Sequence, residues 1–169
     1  MATTAKLYDY SFSTAKTYLF AIIFVAGNIL LPQLVHFVPN GGITFLPIYF
    51  FTLIAAYKYG IRAGILTAVL SPLVNSMLFG MPVVAMLPII LTKSVLLAIA
   101  ASYTAKISGK ISLLSLVMVV LVYQFFGTLA EWTLTQSFTA AIQDVRVGFP
   151  GILLQVFGGY AVLKALAKA

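Results

Sequence analysis

Thiol, imidazole and carboxylate side chains are almost absent from this sequence. Its 169 residues include no cysteine, one histidine and three acids. Disulfides and thiolate metal sites are therefore excluded, and the few other ligand types argue against a multi-ligand metal centre. Nucleotide-binding loops, paired catalytic carboxylates and metalloprotease motifs are also missing. The sequence thus predicts a protein that has no cofactor and is not an enzyme.

Charge of either sign is scarce as well. Only 8% of the residues are charged and 62% are hydrophobic, and the mean hydropathy is +1.10. Soluble domains carry about 25% charged residues, so this chain is predicted to lie in a lipid bilayer. Its length fits one domain, residues 1–169, of six spans of about 20 residues each. We attribute the net charge of +7 to membrane topology rather than to nucleic-acid binding.

Glycine, proline and basic residues divide the apolar sequence into six predicted membrane spans. These are residues 17–38, 43–59, 63–80, 83–105, 111–134 and 149–166. If the N-terminus is cytoplasmic, eight basic residues lie inside, only Arg146 lies outside, and Lys93 lies within the membrane. The eight are Lys6, Lys16, Lys58, Arg62, Lys106, Lys110, Lys164 and Lys168. The positive-inside rule therefore predicts an all-α integral membrane protein with both termini in the cytoplasm.

With this orientation, the strongly polar side chains of the spans are concentrated in the outer half of the membrane. They include Asn28, Gln33, His36, Asn75, Gln124, Thr128, Glu131 and Gln155. The inner half contains mainly apolar and small residues, such as Ala56, Gly60 and Gly64, whose spacing lets helices approach closely. We therefore expect an outward-facing polar cavity above a closely packed inner half, which offers no polar path for a channel.

Lys93 is the most costly residue in this arrangement. It lies near the middle of the apolar stretch 83–105, where a lysine costs at least about 2.5–3.5 kcal/mol on insertion scales. It therefore needs a partner inside the helical bundle. Two interpretations lead and do not exclude each other: a structural pair with Glu131, the one acid within the spans, or an anionic group on a ligand. The third is a lysine that snorkels to the membrane surface or stays neutral.

The remaining candidates each have a structural and a functional interpretation. The predicted substrate-binding residues are Lys93, Asn75, Gln124, Glu131, Trp132, Gln155, Asn28 and Asn40. The amides could instead join helices by hydrogen bonds, and Trp132 could belong to an aromatic belt. Asp144 and Arg146, in the long connection 135–150, are expected to be solvated. Alternatively, this connection and the segment 38–42, which contains Asn40, could cover the cavity as a lid.

The segment "GGITFLPIYFFTLIAAYKYGIRAGILTAVLSPLVNSMLFG" (41–80) resembles the helix 2–3 region of one transporter family. This family comprises the substrate-binding S components of energy-coupling factor (ECF) vitamin transporters, in which a proline-containing apolar helix leads to a basic turn. The resemblance implies a protein of the bacterial or archaeal plasma membrane that captures a micronutrient from outside. It also implies two kinds of partner, a membrane T component and two cytoplasmic ATPases.

The leading hypothesis is therefore an S component for a small water-soluble vitamin, whose anionic group would meet Lys93. A cationic or amine-bearing ligand is the alternative if Glu131 is unpaired. Two other classes remain possible. One is a ligand-free membrane scaffold of the MreD type, in which the polar residues only join helices. The other is a stand-alone transporter, which would need neither ATP nor a partner.

Overall fold

The computed structural model describes residues 3–4 and 6–168, which are almost entirely helical. The elements are β1 (Thr3–Thr4), α1 (Ala15–Val35), α2 (Gly41–Phe45), α3 (Phe50–Tyr59), α4 (Ile61–Phe79), α5 (Leu87–Ser108), β2 (Lys110–Ile111), α6 (Leu113–Thr135), α7 (Phe138–Ala141), α8 (Gln143–Arg146), α9 (Phe149–Leu153) and α10 (Gly159–Leu166). Short 3₁₀ helices precede α3 (Pro47–Tyr49) and α5 (Val84–Met86), and a π-helical turn (Leu154–Gly158) joins α9 to α10.

Five helical segments in the described part of the chain are long and apolar enough to cross a membrane. They are Ala15–Val35, Ile61–Phe79, Val84–Ser108, Leu113–Thr135 and Phe149–Leu166. Each agrees with a predicted span to within four residues at either end. The all-α architecture and the multi-pass membrane character of the chain are therefore confirmed at this level.

The second predicted span, 43–59, is not one continuous helix. Helix α2 ends at Phe45. The backbone of the next residue, Leu46, is left-handed (φ 47°, ψ 46°), and a 3₁₀ turn follows before α3 begins. Pro47 explains the break, because it lacks an N–H group and disfavours the α conformation of the preceding residue. Only the ten residues of α3 are regular helix at this position.

Helix α3 is nevertheless the most deeply buried element. Every residue from Thr52 to Tyr59 is buried, and α3 packs against α1, α4 and α5. It lies close to α4, where a Cβ atom on Gly64 would lie 2.5 Å from the Cβ atom of Ala56. The turn between the two helices depends on Gly60 (φ 94°), a conformation that other residues rarely adopt. The small residues of this hairpin therefore allow its two helices to touch.

The α3–α4 turn lies at one end of the bundle, which we call the basic end because it contains Lys58, Arg62, Lys106 and Lys110. The N-terminal segment is tied to it: Lys58 Nζ donates to the Lys6 carbonyl (2.9 Å), and β1 pairs antiparallel with β2. A cavity of about 340 Å³ lies here, between this segment and α3 and α5. We call the opposite end, formed by the α4–α5 connection and by α7 and α8, the cavity end, because it contains a larger cavity of about 550 Å³.

We predict that Gly64→Ala destabilises the protein. The new methyl group would lie 2.8 Å from the Ala56 Cα atom, which cannot move aside like a flexible side chain. Such overpacking costs about 1–3 kcal/mol, which outweighs the gain of about 1 kcal/mol in helix propensity. Thermal unfolding of the detergent-purified protein measures the effect.

Gly42→Ala is the matched control, because a Cβ atom at Gly42 would have no neighbour within 4 Å. It should leave the melting temperature nearly unchanged. Equal stability of Gly64→Ala and the parent protein would show that α3 and α4 do not pack as closely as described.

Candidate functional site

A cavity of about 550 Å³ opens at the cavity end. Its wall is formed by the end of α1, the segment 38–49, the α4–α5 connection, the start of α5, one residue each from α4 and α6, and two residues from α8. The lining is mainly apolar, and its polar members are His36, Asn40, Tyr49, Asn75, Lys93, Glu131, Gln143 and Asp144. Small-molecule sites typically have volumes of about 300–1,000 Å³ and this mixture of apolar wall and few polar groups.

Three charged side chains meet at the wall of this cavity, and we call them the charged triad: Lys93 of α5, Glu131 of α6 and Asp144 of α8. Lys93 Nζ forms an ion pair with Glu131 Oε2 and donates a hydrogen bond to Asp144 Oδ2 at 2.7 Å. The three side chains are 2%, 7% and 15% exposed, respectively. The structural pair between Lys93 and Glu131 is therefore present, and a second carboxylate joins it.

The prediction that Asp144 is solvated is wrong. The connection 135–150 contains the short helices α7 and α8, and the Ser137 side chain caps the first by accepting from the Ala140 N–H group. This local structure carries Asp144 over the cavity to Lys93, whereas Arg146 two residues later is exposed. The sequence contained one indication of this contact: Asp144 is the only other acid that the predicted topology places on the same side of the membrane as Glu131.

Gly127 makes room for the buried lysine. A Cβ atom on this residue of α6 would lie 3.0 Å from Lys93 Cγ and 3.5 Å from Lys93 Cε. The aliphatic part of Lys93 therefore lies directly against the α6 backbone. Gly127 and Glu131 are one helical turn apart, so the same face of α6 accommodates the lysine stem and receives its ammonium group.

Asn75 of α4 also lines the cavity and is only 1% exposed. Its Nδ2 group donates to two backbone carbonyls, those of Asn28 and Ser71, both at 2.9 Å. Its Oδ1 atom is buried without a hydrogen-bond partner among the described residues. Asn75 therefore presents an unused acceptor at the wall of the site.

Asn28 has a different role. Its Nδ2 group donates to Thr52 and Ser71 hydroxyls, both at 3.1 Å, and its Oδ1 atom accepts from the Phe51 N–H group at 3.1 Å. These bonds join α1 to the start of α3 and to α4. Asn28 lies outside the cavity lining, so the structure places it as a link between helices.

Gln124 and Gln155 also lie outside the lining. They form a buried chain in which Gln124 Nε2 donates to the Tyr123 hydroxyl (3.0 Å), which donates to Gln155 Oε1 (2.8 Å). Tyr123 was not among the predicted site residues. Its ring lies 6.0 Å, centroid to centroid, from that of Tyr49, which does line the cavity. The two glutamines are therefore one layer behind the cavity wall.

The two predicted lid segments both border the cavity. Asn40, in a left-handed conformation (φ 57°), and its neighbours 38–43 line one side, and Gln143 and Asp144 line another. Trp132 does not belong to the lining: its side chain is 46% exposed and packs edge-on against Phe138 at 5.4 Å. The structure therefore brings together Lys93, Glu131, Asn75 and Asn40 of the predicted residues.

Comparisons with known proteins give no further guide to function. No family model matches this chain, and neither a curated protein nor a solved structure was found to be similar to it. In the part of the chain that the structure describes, no group of three metal-ligating side chains is present. The cavity and its charged triad are therefore the observations from which a function can be argued.

We predict that Lys93→Met strongly destabilises the protein, because it leaves two carboxylates facing each other without a counter-charge. Breaking a buried ion pair by removing one partner costs about 3–5 kcal/mol. The measurement is the melting temperature of the purified protein without added ligand.

The triple variant Lys93→Met, Glu131→Gln, Asp144→Asn removes all three charges and should recover most of the lost stability. If Lys93→Met melts like the parent protein, the triad does not contribute to stability. If the triple variant is as unstable as Lys93→Met, lost packing around the lysine stem, rather than charge, accounts for the effect.

Proposed function

We propose that this protein is the substrate-binding subunit of an ECF-type importer that captures a small water-soluble vitamin or related micronutrient. The observation that carries the proposal is the cavity of about 550 Å³ at one end of the bundle, with a buried charged triad in its wall. Buried ionisable groups in a membrane protein are costly and typical of substrate sites. A purely structural bundle has no need of a cavity beside them.

The distribution of basic residues supports an outward-facing cavity. Lys58, Arg62, Lys106 and Lys110 lie at the basic end, and at the cavity end Arg146 is the one exposed basic residue among those described. By the positive-inside rule the basic end and both chain termini would be cytoplasmic. The cavity would then receive its substrate from outside the plasma membrane.

The sequence supports a division of labour with other subunits. It contains no nucleotide-binding loop, so ATP-driven uptake through this site would need separate ATPases. The proposed partners are a membrane T component and two cytoplasmic ATPases, as the family resemblance of residues 41–80 implies. The chain itself would supply specificity.

One observation favours the membrane scaffold of the MreD type as a second candidate. Lys93 already has two carboxylate partners within the chain, so its burial can be explained without a ligand. In a scaffold the triad would only fix α8 against α5 and α6. The two candidates differ in whether the cavity binds a small molecule.

Mass spectrometry of small molecules released by denaturing the detergent-purified protein tests the proposed function. We expect a near-stoichiometric, vitamin-like compound, because such a cavity can bury most of a ligand of this size. ATP-dependent uptake of the same compound in cells that also express a T component and its ATPases would complete the test.

A protein that carries no cargo and shows no saturable binding to a vitamin panel would contradict the proposal and favour the scaffold. Uptake into proteoliposomes that contain this chain alone, without ATP, would instead identify a stand-alone transporter.

A further inference from the structure

The charged triad has a surplus of negative charge. One ammonium group, that of Lys93, faces the carboxylates of Glu131 and Asp144, which gives a formal charge of −1 with His36 of the lining counted as neutral. An ammonium group also has three hydrogens, whereas two carboxylates have four oxygens. By charge and by number of hydrogen bonds, the two carboxylates can therefore accept one more positively charged donor.

Asn75 adds a further acceptor to the same wall. The orientation of its amide is determined by its neighbours, because both partners of Nδ2 are backbone carbonyls and can only accept. The flipped amide would place oxygen against oxygen. Asn75 Oδ1 is therefore the buried atom without a partner among the described residues, and it can only accept a hydrogen bond.

Other buried polar atoms with neither a hydrogen bond nor an ion pair lie outside the lining, and they comprise both donors and acceptors. They include the acceptor Gln124 Oε1, the donor Gln155 Nε2 and the Ser94 hydroxyl, which can do both. In the cavity lining, the buried polar side-chain atom with neither a hydrogen bond nor an ion pair among the described residues is Asn75 Oδ1, because Glu131 Oε2 contacts Lys93 Nζ. The wall therefore combines an unused acceptor with surplus negative charge, and both call for a donor.

We propose that the cavity binds a ligand with a protonated amine or another N–H-donating cation, received by Glu131 and Asp144 with Asn75 Oδ1 as an additional acceptor. This inference rests on the proposed function and names the chemistry of its substrate. The cation would share the two carboxylates with Lys93 and bring the formal charge of the site to zero. Burial of charge is least costly when it is compensated in this way.

An anionic ligand is disfavoured by the same geometry. The sequence-based expectation of an anionic group depended on a Lys93 that is free to meet it, but both carboxylates of the cavity already contact its ammonium group. An anion would have to displace one of them and would then be the third negative group around one ammonium group. Negative groups close enough to share one ammonium group repel each other strongly in a site of low dielectric constant.

The rest of the wall restricts the body of the ligand. Ile43, Ile89 and Ile90 provide apolar surface, and Tyr49 adds an aromatic residue, a type that attracts cations. A cation with a small aromatic or aliphatic body fits this apolar wall better than a polyamine does, because the further charges of a polyamine would face apolar side chains. The substrate class is thus a compact, amphipathic organic cation.

Thermal-shift and equilibrium-binding measurements on the detergent-purified full chain test the inference. One set of probes is cationic: thiamine, pyridoxamine and 3-(aminomethyl)pyridine. The other comprises pyridoxine, nicotinamide, nicotinate, pantothenate and biotin, which are neutral or anionic. Pyridoxamine and pyridoxine differ mainly in an amine and a hydroxyl, and 3-(aminomethyl)pyridine and nicotinate differ in the charge of one substituent. We expect stabilisation by cations, and by the amine of each matched pair more than by its counterpart.

Glu131→Gln separates binding from folding, because it keeps the ion pair between Lys93 and Asp144 but removes the surplus charge. It should weaken binding of the best cation roughly ten- to a hundredfold, as expected for the loss of one charge-assisted hydrogen bond. Asp9→Asn makes the same change in net charge at the basic end, where Asp9 is exposed and pairs with Arg62. It should leave cation binding unchanged.

The possible outcomes distinguish this inference from the proposed function. Binding of an anionic or neutral probe, with no cationic binder, overturns the inference and leaves the function standing. Equal cation affinity in Glu131→Gln and the parent protein also overturns it. A chain that binds no probe and releases no cargo contradicts both.

Discussion

The ammonium group of Lys93, buried among apolar helices, is the constraint on which the arrangement of the cavity end depends. A charge at this depth is tolerated only when it is paired and when space exists for its aliphatic stem. Glu131 and Asp144 provide the pairing, and Gly127 provides the space. One side chain therefore joins three helices, α5, α6 and α8, at the cavity end.

This constraint also links the surface of the protein to its interior. Helix α8 belongs to the connection 135–150, which lies over the end of the bundle and is also held by the buried residues Ala141 and Gly148. Through Asp144 it is attached to Lys93. A ligand that takes part of the Asp144 carboxylate would change how firmly this connection is held, so binding and closure of the cavity would be coupled through the same oxygen atoms.

The sequence was sufficient to predict the long apolar helices, because bilayer thickness and hydropathy determine them directly. It was also sufficient to name Glu131 as a partner of Lys93, since so few acids are present. It failed at the second span and at Asp144 for a common reason. The break at Leu46 and the folded connection around Ser137 depend on local backbone geometry, which hydropathy does not report.

The buried asparagines show why the limits of the site could not be predicted from residue type. Asn28 and Asn75 are both buried, lie on adjacent helices and share the partner residue Ser71. The oxygen of Asn28 has a backbone donor, whereas the oxygen of Asn75 has none among the described residues. One asparagine is therefore complete as a structural link, and the other leaves a requirement for a donor. That requirement lies in the same wall as a surplus carboxylate, so hydrogen bonding favours a donor, and charge favours a cation, at the same place.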